Sequence, residues 1–165
     1  MPSATRRKPR RLTDAQLEEM LALTSHADSV ELKLTVPDTE ARSTVNALGM
    51  DHLKGQIRQV FFFDTPDLDL DGAGLVVRAR RIQGDSADST VKLRPVVPTE
   101  LPADLRDDPA FGVEVDAMPG GFVCSGSMKR ALKTPDVRDA VFGKLPIRRL
   151  YSKEQRALYT AHASE

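Results

Sequence analysis

Arg78 and Arg80 flank Ala79 in the run Gly74-Leu75-Val76-Val77-Arg78-Ala79-Arg80-Arg81-Ile82. The run reads as a β-strand, and a strand sends alternate side chains to opposite faces. The two guanidiniums therefore share one face, while Leu75, Val77 and Ala79 share the other. Like charges held that close repel, so something anionic belongs between them, either acidic side chains or a ligand. Three further strands divide in the same way. Val30 to Val36 sets Glu31 and Lys33 against Val30, Leu32, Leu34 and Val36. Thr90 to Pro95 sets Lys92 and Arg94 against Val91 and Leu93, and Phe111 to Ala117 sets Glu114 and Asp116 against Val113, Val115 and Ala117. A fifth strand, Gln56 to Phe63, adds Arg58 beside Val60 and Phe62, with Ile57, Gln59, Phe61 and Phe63 as its outward set.

The charged face so assembled holds six cations, Lys33, Arg58, Arg78, Arg80, Lys92 and Arg94, and three anions, Glu31, Glu114 and Asp116. A polyphosphate carries several negative charges, and the arginine fork matches phosphate oxygens in bidentate geometry. Carboxylates do not suit bare phosphate. They suit Mg²⁺ or Mn²⁺, which a few carboxylates hold together with substrate phosphates. A metal–polyphosphate complex accounts for both signs on one surface. It points to phosphoryl transfer, or to attack at the phosphorus next to a sugar, catalysed by positioning and charge stabilisation. The alternative is a solvated sheet face laced with cross-strand ion pairs, each of them weak.

The elements that position these residues are legible around them. The apolar strand faces need a covering layer, which helices supply. Thr13 with Gln16 forms a capping box, Leu12 can staple onto Leu17, and Leu17, Met20 and Leu21 make a short apolar stripe ending near Thr24. Thr39 caps a helix carrying Ala41, Val45 and Leu48, closed by Gly49. Pro66 and Asp71-Gly72-Ala73-Gly74 mark a turn, Gly84 to Asp88 a polar loop, and Pro119-Gly120-Gly121 another turn. Ser127 caps a helical turn through Leu132, and Thr134-Pro135 opens a helix ending at Gly143. Ser152 with Gln155 is a second capping box, opening a helix to about Ala161, after which no strand is read.

Composition bounds the rest. The chain has 165 residues, 40% apolar and 29% charged, with 24 basic and 24 acidic side chains. That allows one domain with a real core, and any basic site must arise by local segregation. Residues 1–11 carry Arg6, Arg7, Lys8, Arg10 and Arg11 without an apolar cluster and read as a disordered basic tail; residues 12–165 read as a single domain. Cys124 is alone, so no internal disulfide forms, and no apolar run approaches a membrane span or a signal peptide. The expectation is a cytoplasmic protein.

Val30-Glu31-Leu32-Lys33, then Phe62-Phe63-Asp64-Thr65-Pro66-Asp67-Leu68-Asp69-Leu70, Gly74 to Arg80, Thr90-Val91-Lys92-Leu93-Arg94 and Val113-Glu114-Val115-Asp116 stand in the order seen in CYTH domains. The chain resembles that family, the triphosphate tunnel metalloenzymes, best over residues 28–118. The family includes class IV adenylyl cyclases, thiamine triphosphatases and inorganic triphosphatases. The resemblance implies an α+β fold in which an antiparallel sheet curls into a tunnel with charged residues inside and helices on its outer face. It implies that Glu31, Glu114 and Asp116 hold Mg²⁺ or Mn²⁺, and that Lys33, Arg78, Arg80, Lys92 and Arg94 hold the triphosphate; Arg58 joins this set from its place on the charged face alone. Ser29 stands where the family's opening motif, Glu-x-Glu-x-Lys, has its first glutamate. About five strands are legible where the tunnel has eight, so the expected tunnel is incomplete, with edges that a second copy of the chain can cover.

The expected function is metal-dependent binding and hydrolysis of inorganic, thiamine or nucleoside triphosphate, with cyclisation as a variant. A polyphosphate- or nucleotide-binding module without turnover is the alternative, motivated by Ser29. Nucleic-acid binding ranks last, because aromatic residues make up only 5% of the chain and single strands need stacking faces. His26, His52 and His162 lack ligand spacing, Cys124 reads as a small buried residue, Gly120-Gly121 as a turn, and Asp64 as a turn former in preference to a metal ligand.

Overall fold

The computed structural model describes residues 13–84 and 86–163. The basic tail and the Leu12 staple lie outside the described residues. Six strands form one sheet: β1 Ser29–Leu32, β2 Arg58–Phe62, β3 Leu75–Ile82, β4 Ser86–Leu93, β5 Phe111–Met118 and β6 Gly121–Leu132. Their order is β1-β5-β6-β4-β3-β2. The helices are α1 Asp14–Thr24, α2 Ala41–Ala47, α3 Asp69–Gly72, α4 Ala103–Arg106, α5 Thr134–Val141 and α6 Lys153–His162. The class is α+β, as expected. The sheet is mixed, because β1 runs parallel to β5 while every other pair is antiparallel. Among the described residues it is open, with β1 and β2 at its two ends.

Alternation builds the core. Leu75, Val77 and Ala79 of β3, Val91 and Leu93 of β4, Val113 and Val115 of β5, and Cys124 and Met128 of β6 face one side and are buried. Val137 and Ala140 of α5, Leu150 and Tyr151 at the end of the 3₁₀ turn Ile147–Leu150, and Leu158 of α6 close over them. Each fully buried aliphatic side chain contributes about 1.5–3 kcal/mol. One polar residue breaks this face. Ser89 is fully buried, so its hydroxyl needs a partner, and it donates to Leu150 O at 2.7 Å. Gln155, 1% exposed, completes the arrangement. Its Nε2 donates to Ser89 O and Met128 O, and its Oε1 accepts from the Ser152 backbone N–H and shares the single Ser89 hydroxyl proton with Leu150 O. The capping box read from the sequence is therefore also the bolt that fixes α6 to β4 and β6.

Several expectations are corrected. Ser127 caps no helix: residues 121–132 are the twelve-residue strand β6, in the middle of the sheet. The alternation of Phe122, Cys124 and Met128 with Val123, Ser125 and Ser127 was present, but Gly126 interrupts it. Gly126 is where the Phe111 ring packs, and a Cβ there would strike it. The loop placed at Gly84 to Asp88 ends early, because β4 begins at Ser86. A 3₁₀ turn, Asp38–Glu40, precedes α2, so Thr39 is not its cap. Lys133, not Thr134, is the residue before α5. The first strand ends at Leu32, well before Val36, and its apolar residues Val30, Leu32 and Leu34 are exposed rather than packed. Leu17 and Leu21 of α1 are exposed too. Phe61 and Phe63 pack against the core, not outward.

Asp64 is a turn former. Its carboxylate accepts the backbone N–H groups of Thr65, Leu70 and Asp71 at 2.8–3.0 Å. Desolvation works to raise its pKa, but these three donors together outweigh it and hold the carboxyl below its ordinary value. Gln155→Leu keeps the volume of the side chain and removes four hydrogen-bond contacts. It is expected to lower unfolding free energy by about 2–4 kcal/mol in urea titration, with α6 amides losing protection first.

Candidate functional site

The register brings the predicted charged side chains to one face. Arg78 lies opposite Thr90, and Arg80 opposite Asp88. Lys92 lies opposite Ser127, Glu114 opposite Ser125, and Glu31 opposite Asp116 across the parallel pair. Val60 and Phe62 of β2 lie opposite Arg80 and Arg78, which puts Arg58 on this face as well.

Small residues on the central strand make the site. Ser125 and Ser127 are buried and stand between β4 and β5 on the charged face. Neighbouring strands lie about 4.8 Å apart, so two spacings separate β4 from β5, a span that only long side chains bridge. Lys92 crosses to Glu114 at 3.4 Å, and Arg94 crosses to Asp116 Oδ2 at 2.8 Å. Lys33 reaches the same Asp116 oxygen at 2.8 Å and Glu31 at 3.6 Å. A larger residue at 125 or 127 would stand in that path. Gly74 sets the position of Arg94: it has φ +73°, its carbonyl accepts the Arg94 N–H at 2.7 Å, and a Cβ would press on Arg94 O at 2.7 Å.

Glu31, Glu114 and Asp116 each offer an oxygen within 4.8 Å of the other two, so the three can hold a metal ion. The Asp116 side chain is 0% exposed. Lys33 and Arg94 each stand 2.8 Å from Oδ2, and Oδ1 has no hydrogen-bond partner among the described residues. A buried carboxylate with unused acceptor capacity beside two others fits a metal ligand set. Arg78 is the complementary case. It has no ion pair among the described residues, and its Nε is buried without a partner. Burial, then the charge of Arg80, pushes its pKa below the ordinary arginine value. The charges of Asp88 and Glu114 reach Arg78 only at longer range, so the guanidinium keeps donors that a ligand anion could take.

Not every predicted residue joins the cluster. Arg80 is paired with Asp88, a residue the sequence reading left in a loop. Arg58 sits at the far edge of the sheet and donates to Gln56. Lys33, Lys92 and Arg94 meet the acids, and Arg78 lies one strand away from Lys92's strand. Asp88, Ser125 and Ser127 were missed. The period-two pattern of residues 86–93 and 121–132 was the signal that could have found them. No histidine belongs to the acidic cluster among the described residues, and Cys124 is buried in the core, where desolvation raises its thiol pKa.

Removing one member of the cluster has an asymmetric cost. Asp116→Asn leaves two cations that keep about a third of their surface in water, 38% for Lys33 and 32% for Arg94. It is expected to cost about 1 kcal/mol, since solvent screens what remains. Lys33→Met with Arg94→Met strands a buried carboxylate and is expected to cost about 3–5 kcal/mol. Urea unfolding of the two variants reads the order, and equal costs would contradict it.

Among the described residues no helix is long and apolar enough to cross a membrane. Compared with family models, with curated proteins and with solved structures, the chain has no match.

Proposed function

We propose that this chain is a CYTH-like domain that binds a triphosphate together with Mg²⁺ or Mn²⁺ and hydrolyses it. One observation carries the reading. On a single sheet face, three carboxylates, of which Asp116 is buried and Glu31 exposed, adjoin cations, one of which, Arg78, pairs with no acid among the described residues. Structural ion pairing alone explains Arg80 with Asp88; it does not explain Arg78 or the free acceptor capacity of Asp116.

In this reading Glu31, Glu114 and Asp116 hold the metal, which supplies charge neutralisation at phosphate oxygens when bound. Arg78 takes a phosphate directly. Lys33, Lys92 and Arg94 now neutralise the acids; with a triphosphate present they turn to its oxygens, and the acids become free to bind the metal. Arg80 and Arg58 extend the cationic side toward β2. In this reading a further strand or a second copy pairs with the edges that β1 and β2 leave among the described residues, and so completes the tunnel.

A second reading is binding without turnover. Ser29 lies in register with Glu114, on the site face, so a neutral hydroxyl occupies the place of the family motif's first carboxylate. Phosphate release separates the two. With Mg²⁺ or Mn²⁺, the first reading predicts release from inorganic, thiamine or nucleoside triphosphate. It also predicts a loss of about a hundredfold or more in Glu114→Gln and about tenfold or more in Arg78→Ala. Binding with no release would leave the second reading standing. No heat with any triphosphate, with or without metal, would remove both.

A further inference from the structure

A cleft of about 560 Å³ lies on the helix side of the sheet, bounded by β6, the 3₁₀ turn Ile147–Leu150 and the opening turn of α6. Its charged lining is Arg130, Arg149, Lys153 and Arg156 against the single carboxylate of Asp136. We propose that this cleft is a second anion site, which takes a compact phosphate-bearing polyanion, such as a diphosphate group or a short polyphosphate, without a metal.

The cleft is separate from the carboxylate face. Arg130 lies in register with Ser89, on the side of the sheet where the helices pack, opposite to the side that carries Lys92 and Glu114. In a chain with equal numbers of basic and acidic side chains, four cations around one acid is a local segregation. Among the described residues none of the four has an ion-pair partner. Arg130 and Arg156 reach only backbone carbonyls, of Arg149 at 3.5 Å and Arg148 at 3.4 Å, both long. Glu154, in the same turn of α6, lines a different pocket.

Glu154 is the one acid of this helix turn that the charges of Lys153 and Arg156 reach, and it faces that other pocket. Lys153 and Arg156 sit at the N-terminal turn of α6, where the helix dipole favours negative charge and disfavours cations. An anion in the cleft relieves both the mutual repulsion and the dipole mismatch. Arginine forks match the paired oxygens of a phosphate group, and a diphosphate can meet several of them at once. The occupant is compact rather than a nucleic-acid strand. The only aromatic ring in the lining, Tyr151, is 2% exposed, so no stacking face is on offer. With a single carboxylate present, the cleft lacks the acid cluster that metal binding needs.

Calorimetry with inorganic diphosphate in the presence of EDTA tests the assignment. Arg78→Ala/Arg94→Ala, which removes the carboxylate face's own phosphate contacts, is compared with the same chain carrying Arg130→Ala/Arg156→Ala in addition, after thermal melting shows that both variants fold. The proposal expects metal-free binding in the first variant that falls at least tenfold in the second and weakens as salt rises. It is overturned if the first variant shows no metal-free binding or if the second binds as the first does. It is also overturned if a short oligonucleotide binds in the cleft while diphosphate does not.

Discussion

The structure turns on one buried carboxylate. Asp116 is fully removed from water, and a charge in that position must be met by opposite charge. Lys33, just past β1, and Arg94, just past β4, meet it from two sides. That need fixes much else. It ties the short parallel strand β1 to β5, and it requires small residues on β6 so that Arg94 can cross. It also depends on a glycine at 74, whose carbonyl holds the Arg94 backbone. Buried ion triads are often no more stable than an apolar replacement of similar volume, so stability alone does not account for this one.

In the proposed reading, the same contacts make metal and phosphate depend on each other. Without ligand, the cations serve as counter-charges for the acids. A metal alone must compete with Lys33, Lys92 and Arg94 for the carboxylates. A polyphosphate alone must compete with the carboxylates for those cations. Bound together, each ligand releases the groups that the other needs, and such coupling is reciprocal by thermodynamic necessity. Arg78 stands outside this exchange, since no acid among the described residues holds it.

The charged face was legible in the sequence because a strand of period two needs only four or five residues to declare its faces. Glu31, Lys33, Arg78, Arg80, Lys92, Arg94, Glu114 and Asp116 fell on one side for that reason alone. Both capping boxes were legible too, since Thr13 with Gln16 and Ser152 with Gln155 are local chemistry. What stayed hidden depended on distant partners. β6 carries serines and a glycine that weaken its strand signature, because its small residues are chosen by Phe111 on one face and by the crossing side chains on the other. Asp88 was hidden because its place on a strand follows from pairing with β3, not from its own propensity. The parallel pairing of β1 is also a tertiary outcome. It rests on Asp28, whose carboxylate accepts the Val113 N–H at 2.7 Å and whose own N–H bonds Val113 O.

The most direct test of the account is a pair of calorimetric titrations with a non-hydrolysable triphosphate analogue, one in EDTA and one with saturating Mn²⁺. The account predicts binding at least tenfold tighter with Mn²⁺, and a matching gain in Mn²⁺ affinity when the analogue is present. Equal affinity in the two titrations would contradict it, and would leave the charged face as a set of structural ion pairs.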